Sequence, residues 1–280
     1  MKVPDPRKPT PAPAGEGGAH EEADVAGIIS GRPGVVRVRP PSRGGDLPAL
    51  GGAASPAPGS RRVPLSRARS STALRMAESK REAPHLYLET SVDVALAAAL
   101  ADESSVAFPA MVLKACAEAL ALHPGLNARF AGDAIEIFEE INLACAVALE
   151  DGLVWPVLRA GDRLPLAAVS ALYCELDRRS RSGELDAEDL SRATFSVMDV
   201  GGLGIEKCTA VIQPPQAAIL AVGAIIERPV IRGGRIAFGP VVSLTLSGDH
   251  RLVDVVAGAA FLAEVRRRLE EPRLLLGSHV

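Results

Sequence analysis

Half of the prolines in this chain, 11 of 22, and 11 of its 26 glycines fall within the first 60 of its 280 residues, and the first aromatic side chain is Tyr87. A segment so poor in large apolar groups cannot offset the entropy of ordering its backbone. Residues 1–61 are therefore expected to be a disordered Pro/Gly-rich N-terminal segment, with Gly27 to Val38 transiently extended. Residues 62–280 must carry the fold, and about 220 residues suffice for one substantial core.

Within that second region the apolar pattern alternates between two periods. Leu65 to Ala77 reads as an opening helix and His85 to Val94 as a strand. Phe108 to Leu122 is a strongly apolar helix ended by His123-Pro124-Gly125. Ala134 to Ala148 and Leu153 to Leu158 read as strands, Leu166 to Arg179 as an amphipathic helix, and Glu184 to Leu190 as a turn. Thr194 to Val200, Ala217 to Ile225 and Ile236 to Ser247 are rich in Val, Ile and Leu, as strands are. A last helix runs from about Leu252 to Glu270. Long helices with a block of C-terminal strands predict an α+β fold.

Composition narrows the function. A net charge of -3, with Lys and Arg scattered, recommends no nucleic-acid partner. No apolar run approaches the ~20 residues that span a bilayer, so no membrane partner is expected. The N-terminus lacks a signal-peptide pattern, and Glu16, Glu21, Glu22 and Asp24 argue against a mitochondrial transit peptide. The expected location is cytoplasmic. Cys116, Cys145, Cys174 and Cys208 lie apart in apolar segments and read as small buried hydrophobes; no His is spaced with them for zinc.

Among the five histidines, His20 and His279 are terminal, His123 sits at a helix end as a C-cap, and His85 opens a strand as a structural or supporting group. His250 differs. It lies in Ser247-Gly248-Asp249-His250-Arg251-Leu252-Val253-Asp254, between an apolar strand and an amphipathic helix, where active-site groups are often placed. If the helix begins at or before His250, Asp254 shares its face. Three readings stay open on these residues alone: a capped helix start using Ser247 or Asp249, a His/Asp metal pair without an evident third ligand, and a catalytic histidine with an organising carboxylate.

The surroundings bear on that choice. Thr194-Phe195-Ser196-Val197-Met198-Asp199-Val200-Gly201 and Gln213-Pro214-Pro215-Gln216-Ala217-Ala218-Ile219-Leu220-Ala221-Val222-Gly223 precede Asp249-His250-Arg251-Leu252-Val253-Asp254. Upstream stand Val63-Pro64-Leu65-Ser66, Arg69, Arg75-Met76, Glu78-Ser79-Lys80, Ala83-Pro84-His85 and Val92-Asp93-Val94. Pro124-Gly125-Leu126-Asn127-Ala128, Gly152-Leu153 and Pro156-Val157 lie between. In this order they resemble the catalytic domain of the 2-oxo acid dehydrogenase acyltransferases, the E2 components, from Arg62 to the C-terminus. The resemblance implies a fold similar to chloramphenicol acetyltransferase, with a mixed or antiparallel sheet flanked by helices, assembled as a homotrimer or larger. It implies acyl transfer between coenzyme A, as substrate, and a dihydrolipoyl or other thiol acceptor, in a channel between subunits. His250 is the implied general base, Asp254 an organising carboxylate paired with Arg69, and Arg251 a further organising group. Implied partners are a lipoyl-domain protein and dehydrogenase subunits.

Three departures accompany the resemblance. Met198, or Asp199 if the alignment slips by one, stands where the family places an oxyanion-stabilising hydroxyl, and a thioether has no proton to donate. Val255 stands where the family has Gly; if that Gly serves a close backbone approach or an unusual dihedral, Val is expected to force a shift. No attached lipoyl arm is expected, because the first 79 residues contain only Lys2 and Lys8. A catalytically impaired E2-like scaffold is therefore a rival to an active acyltransferase.

Overall fold

A computed structural model describes residues 57, 59–65, 67–149 and 152–276. The expectations for residues 1–56, for His20 and for His279 lie outside the described residues. Pro64 onward forms one compact unit.

Its frame is a seven-stranded mixed sheet. The elements that build and cover it are α1 (Arg67–Glu82), β1 (His85–Asp93), α2 (Ala95–Ser104), α3 (Phe108–Leu122), β2 (Ala128–Phe130), β3 (Ile135–Ile137), β4 (Leu143–Cys145), β5 (Val147–Leu149), β6 (Gly152–Val154), β7 (Val157–Leu158), α4 (Leu166–Ser182), β8 (Phe195–Asp199), β9 (Ala218–Val222), β10 (Ile226–Arg232), β11 (Arg235–Asp249) and α5 (Val255–Glu270). The sheet runs β1-β11-β9-β8-β4-β7, with β10 also paired to β11; β8 is parallel to both neighbours and the remaining pairs are antiparallel. The expected α+β class is the observed one.

Alternation in the central strands separates two faces. Phe195 and Val197 of β8, Ala218, Leu220 and Val222 of β9, and Val242, Leu244 and Leu246 of β11 point into the main core with α3 and α5. The opposite face carries Ser196 and Met198, then Ile219 and Ala221, then Ser243, Thr245, Ser247 and Asp249. There a smaller apolar cluster of Ala210, Ile212, Ile219 and Ala221 packs with Trp155, Met198 and Cys208.

Helix α3 is buried over most of its length, from Ala110 to Leu120. Its Ala/Leu content favours helix, Pro109 suits the first turn, and the following Pro124 ends it. Lys114 on α3 is buried, and its ammonium donates to the Asp162 carbonyl (2.9 Å) and meets Glu118 at 3.3 Å. Glu118 also accepts from Arg268 of α5 at 2.9 Å, so a paired charge network ties α3 to α5. Helix α5 lies tight against β1 at Gly258: a Cβ there would come within 2.5 Å of the Leu88 Cδ1. That close approach fixes the start of α5 beside the end of β11.

Several sequence expectations need correction. Ala134 to Ala148 is not one strand but β3, β4 and β5, and Leu153 to Leu158 divides into β6 and β7. Helix α2 and strand β10 were not anticipated. β10 contains Pro229, which a strand tolerates here because β10 pairs only with β11. The Gly233-Gly234 turn that joins them has φ of 57° and 75°, the left-handed values a tight hairpin requires. Cys116 and Cys145 are buried as expected, but Cys174 is exposed on α4. Val255 is the first residue of α5, half exposed, and is not among the non-glycine residues with positive φ. Valine fits this helical backbone without an unusual dihedral.

Candidate active site

The C-terminal end of β11 and the turn into α5 hold the candidate residues together. Asp249 closes β11 opposite His85 of β1, and its N–H donates to the Ala217 carbonyl at 2.8 Å. Its carboxylate is only 3% exposed and accepts from the Arg251 N–H (3.0 Å), Nε (3.0 Å) and Nη2 (2.6 Å). The Arg251 guanidinium lies over the Phe130 ring, 4.1 Å from its centroid. Hydrogen bonding to Asp249 raises the guanidinium's proton affinity further. Leu252 and Val253 N–H groups donate to the Asp249 carbonyl at 2.9 and 2.8 Å. Asp249 thus pins both ends of the turn, and His250 sits on it.

His250 itself is exposed, and its N–H donates to the Pro84 carbonyl at 2.9 Å. The backbone is therefore anchored on two sides while the imidazole faces outward. The neighbouring His85 is structural: its Nε2 accepts from the Ile212 N–H (3.2 Å), which leaves Nδ1–H to donate to the Ala83 carbonyl (2.7 Å). Burial lowers its pKa, which favours the neutral ring. His123 caps α3, its N–H donating to the Ala119 carbonyl at 3.0 Å.

Asp254 does not behave as expected within the chain. Helix α5 starts at Val255, after His250, so His250 and Asp254 are not two residues of one helical face. Asp254 is exposed, is the N-cap, and accepts from the Ala257 N–H at 2.7 Å. Among the described residues it has no ion pair, and the expected pairing with Arg69 of α1 is not formed. The cap at this helix is Asp254 itself, not Ser247 or Asp249. Among the described residues no group of three or more His, Cys, Asp or Glu is arranged to hold a metal.

Met198 and His250 lie far apart in one chain. Met198 is paired with Ala221 of β9, and Ala221 with Thr245 of β11. His250 follows Thr245 by five residues, roughly 16 Å along the strand, and β8 is two strands, or roughly 10 Å, to the side. A site that uses both positions must take them from two copies of the chain. Asp199, the alternative oxyanion position, points the other way. It lies in a narrow apolar cavity beside Tyr173, Val197 and Val222, and its Oδ1 accepts from the Gly201 N–H at 2.8 Å. Burial raises the Asp199 carboxyl, and burial with nearby Asp177 and Asp199 pushes the Tyr173 phenol up to about 12. Asp199 therefore cannot replace Met198 on the Met198 face. Ser196 shares that face, but is fully buried and donates to Gln216 Oε1 at 2.7 Å.

Residues 57–277 match the family model of the 2-oxoacid dehydrogenases acyltransferase catalytic domain. The chain belongs to this family. It is 33% identical over 226 residues to the dihydrolipoyllysine-residue acetyltransferase component of the pyruvate dehydrogenase complex of Rickettsia bellii, covering 77% of the chain and 54% of that relative. It is 34% identical over 226 residues to the dihydrolipoyllysine-residue succinyltransferase component of the 2-oxoglutarate dehydrogenase complex of Haemophilus influenzae, covering 77% and 55%. The chain thus spans about half the length of these curated relatives. Among solved structures, a probable dihydrolipoamide acetyltransferase from Listeria monocytogenes is 32% identical with a TM-score of 0.72, covering 80% of this chain and 99% of that one. The cubic core of a pyruvate dehydrogenase multienzyme complex is 29% identical with a TM-score of 0.72, covering 78% and 94%. The acyltransferase domain is therefore an E2 catalytic core in fold.

Two features of this E2-type domain were not evident from the sequence. One is the Asp249–Arg251–Phe130 arrangement under His250. Its signal was present, since an acid two residues before an arginine at a strand end is a local pair, but Phe130 comes from a distant hairpin. The other is the separation of Met198 from His250, which only strand register reveals.

Proposed function

We propose that the protein is an acyltransferase that moves an acyl group between coenzyme A and a dihydrolipoyl or other thiol acceptor, with His250 as general base. The observation that carries this is His250 held outward on a turn whose backbone is anchored to Pro84 and whose base is the ion pair of buried Asp249 with Arg251, in a chain whose residues 57–277 match the E2 catalytic-domain family model. A thiol with a pKa near 8.5 is only a few per cent thiolate at neutral pH. His250 takes the thiol proton, the sulfur attacks the thioester carbonyl, and a tetrahedral oxyanion forms. Collapse breaks the old carbon–sulfur bond, and the imidazolium returns its proton to the departing thiolate. Arg251 positions the turn, and Asp254 sets the start of α5 behind it. Arg69 is assigned to organising the same site in the assembled protein.

The active form in this reading is a homotrimer or larger assembly, because Met198 and His250 of one chain do not meet. A second copy brings its β8 face to His250 and closes the site. The proposed partners are a lipoyl-domain protein and dehydrogenase subunits, and the proposed location is cytoplasmic. Met198 favours a second reading. If it faces the oxyanion, no hydroxyl meets the charge, and one missing donor costs about 2.7–4 kcal/mol of transition-state stabilisation. The protein is then a slow enzyme or a scaffold subunit. The two readings separate in an acyl-transfer assay with acetyl-, succinyl- and branched-chain acyl-coenzyme A donors and free dihydrolipoamide. Transfer from at least one donor supports the enzyme; a folded, assembled protein that transfers from none supports the scaffold.

A further inference from the structure

We propose that His85 is an acid-sensitive latch: its neutral ring holds the segment that joins β8 to β9 against the sheet, and protonation of that ring lets the segment go. Between Glu206 and Ile212 this connection makes no backbone-to-backbone hydrogen bond among the described residues. Its start is fixed by a close approach, since a Cβ on Gly223 would come within 1.9 Å of the Glu206 carbonyl oxygen. Its end is fixed by Gln216, whose Oε1 accepts from buried Ser196 at 2.7 Å. In between, side chains hold buried Ile212 at both of its backbone groups. The Ile212 N–H donates to His85 Nε2 at 3.2 Å, and its carbonyl accepts from buried Ser79 at 2.7 Å.

The chemistry of imidazole makes one of these two bonds conditional. Nε2 accepts only while it is bare, and the ring then carries its proton on Nδ1, which donates to the Ala83 carbonyl at 2.7 Å. A second proton turns Nε2 into a donor that faces another donor, so the bond to Ile212 is lost outright. The Ile212 N–H is then a buried donor without a partner, a cost that the segment relieves by moving into water.

The charged groups around the ring set when this happens. From α1, Lys80 opposes protonation, and its ammonium donates to the Tyr87 hydroxyl. From β11, Asp249 is the cross-strand partner of His85 and favours protonation, but Arg251 occupies its carboxylate, and Glu82 of α1 acts on that arginine. Tyr87 of β1 has its ring centroid 6.0 Å from that of His85. In the segment itself Glu206 pairs with Arg228 and Lys207 with Glu89. Burial outweighs these charges and lowers the pKa, which places the release below pH 6.5. The Pro84 carbonyl that anchors the His250 N–H lies between Ala83 and His85, so release also disturbs the turn under His250. A fall in acyl transfer at low pH follows only on the acyltransferase reading; the latch does not depend on it.

Two variants separate the parts of the ring. His85→Gln places an amide oxygen where Nε2 stands, so it keeps an acceptor for Ile212 and cannot titrate. His85→Asn keeps a donor near Nδ1 and does not reach Ile212. Amide hydrogen exchange of the full chain, corrected for the intrinsic pH dependence of exchange, would be followed from pH 8 to pH 5 at Ile212 and at Leu220 in the core of β9. Trp155, the only tryptophan, packs against the same small cluster as Ile212, so its fluorescence reports the segment independently. In the wild type, Ile212 should lose protection about tenfold or more on acidification, the equivalent of one lost hydrogen bond. Leu220 should stay protected, and the Trp155 signal should change in the same range. His85→Gln should stay closed throughout, and His85→Asn should be open throughout. Ile212 protection that does not change with pH, an acid transition that persists in His85→Gln, or Ile212 and Leu220 losing protection together would each overturn the latch. So would nitrogen spectra of the neutral ring that place its proton on Nε2. If His85→Asn does not fold, the wild type and His85→Gln decide the matter.

Discussion

Replacing Asp254 separates two accounts of the same carboxylate. In the chain it is an exposed N-cap that accepts from the Ala257 N–H at 2.7 Å, and α5 has no other acidic residue in its first turn. Asp254→Ala removes the cap bond and should cost about 1 kcal/mol, within a range of about 0.5–2. For a domain of this size that is roughly 2–4 °C in Tm. Asp254→Asn keeps an acceptor oxygen and loses only the charge at the helix N-terminus, about 0.3–1 kcal/mol. The order wild type, Asn, Ala is thus expected in urea unfolding at fixed protein concentration. A buried ion pair with Arg69, formed when copies assemble, predicts a different pattern: Asn and Ala each strand the arginine and cost about 3–5 kcal/mol. Equal losses of that size in both variants would refute the cap account.

Other expectations concern β8. Met198→Ser should speed acyl transfer by up to ~100-fold if a neighbouring copy presents this position to the oxyanion, while Met198→Ala should not; Val255→Gly should add nothing, since Val255 already sits in ordinary helix. A rate gain from Ala equal to that from Ser would show that space, not a proton donor, was missing. Burial raises the Asp199 carboxyl, so the folded state keeps that proton to higher pH than the unfolded chain does. The site is then neutral toward stability in acid and becomes destabilising as pH rises through the folded-state value. Asp199→Asn, which retains an acceptor for the Gly201 N–H, should raise Tm at pH 7 and leave it unchanged near pH 3; a Tm lowered at pH 7 would contradict this. Burial also lowers the His85 pKa, so the unfolded chain takes up that proton first and stability should fall as pH drops below about 6.5. His85→Gln should flatten this slope in thermal melts, and an unchanged slope would show that other groups set it.

Much of the fold was legible because its longest elements carry unambiguous periods. Phe108 to Leu122 is a helix in sequence and structure alike, since Pro109 and Pro124 mark its two ends. Strand β9 was legible as an apolar run because both of its faces are covered. Short edge elements were not. Helix α2 is a run of Ala and Leu without a side-chain cap, and β10 mixes Glu227, Arg228 and Pro229 into a strand held by one neighbour. For the candidate site, the octapeptide around His250 was conspicuous, yet its internal geometry was misjudged. The helix starts at Val255, five residues after His250, because the Asp249 carbonyl and carboxylate capture the intervening turn. Met198 was noticed for what it lacks, but its distance from His250 is a property of register across three strands, which no local pattern encodes.

The central claim is that His250 moves the proton in acyl transfer, and a single-turnover measurement tests it most directly. Acyl transfer from an acyl-coenzyme A donor to free dihydrolipoamide would be compared in the wild type and His250→Ala, matched for fold and assembly. The exposed position of His250 predicts an unchanged melting temperature, and general-base catalysis predicts a rate lower by ~100–10,000-fold. A folded, assembled His250→Ala protein that transfers at the wild-type rate would contradict the account.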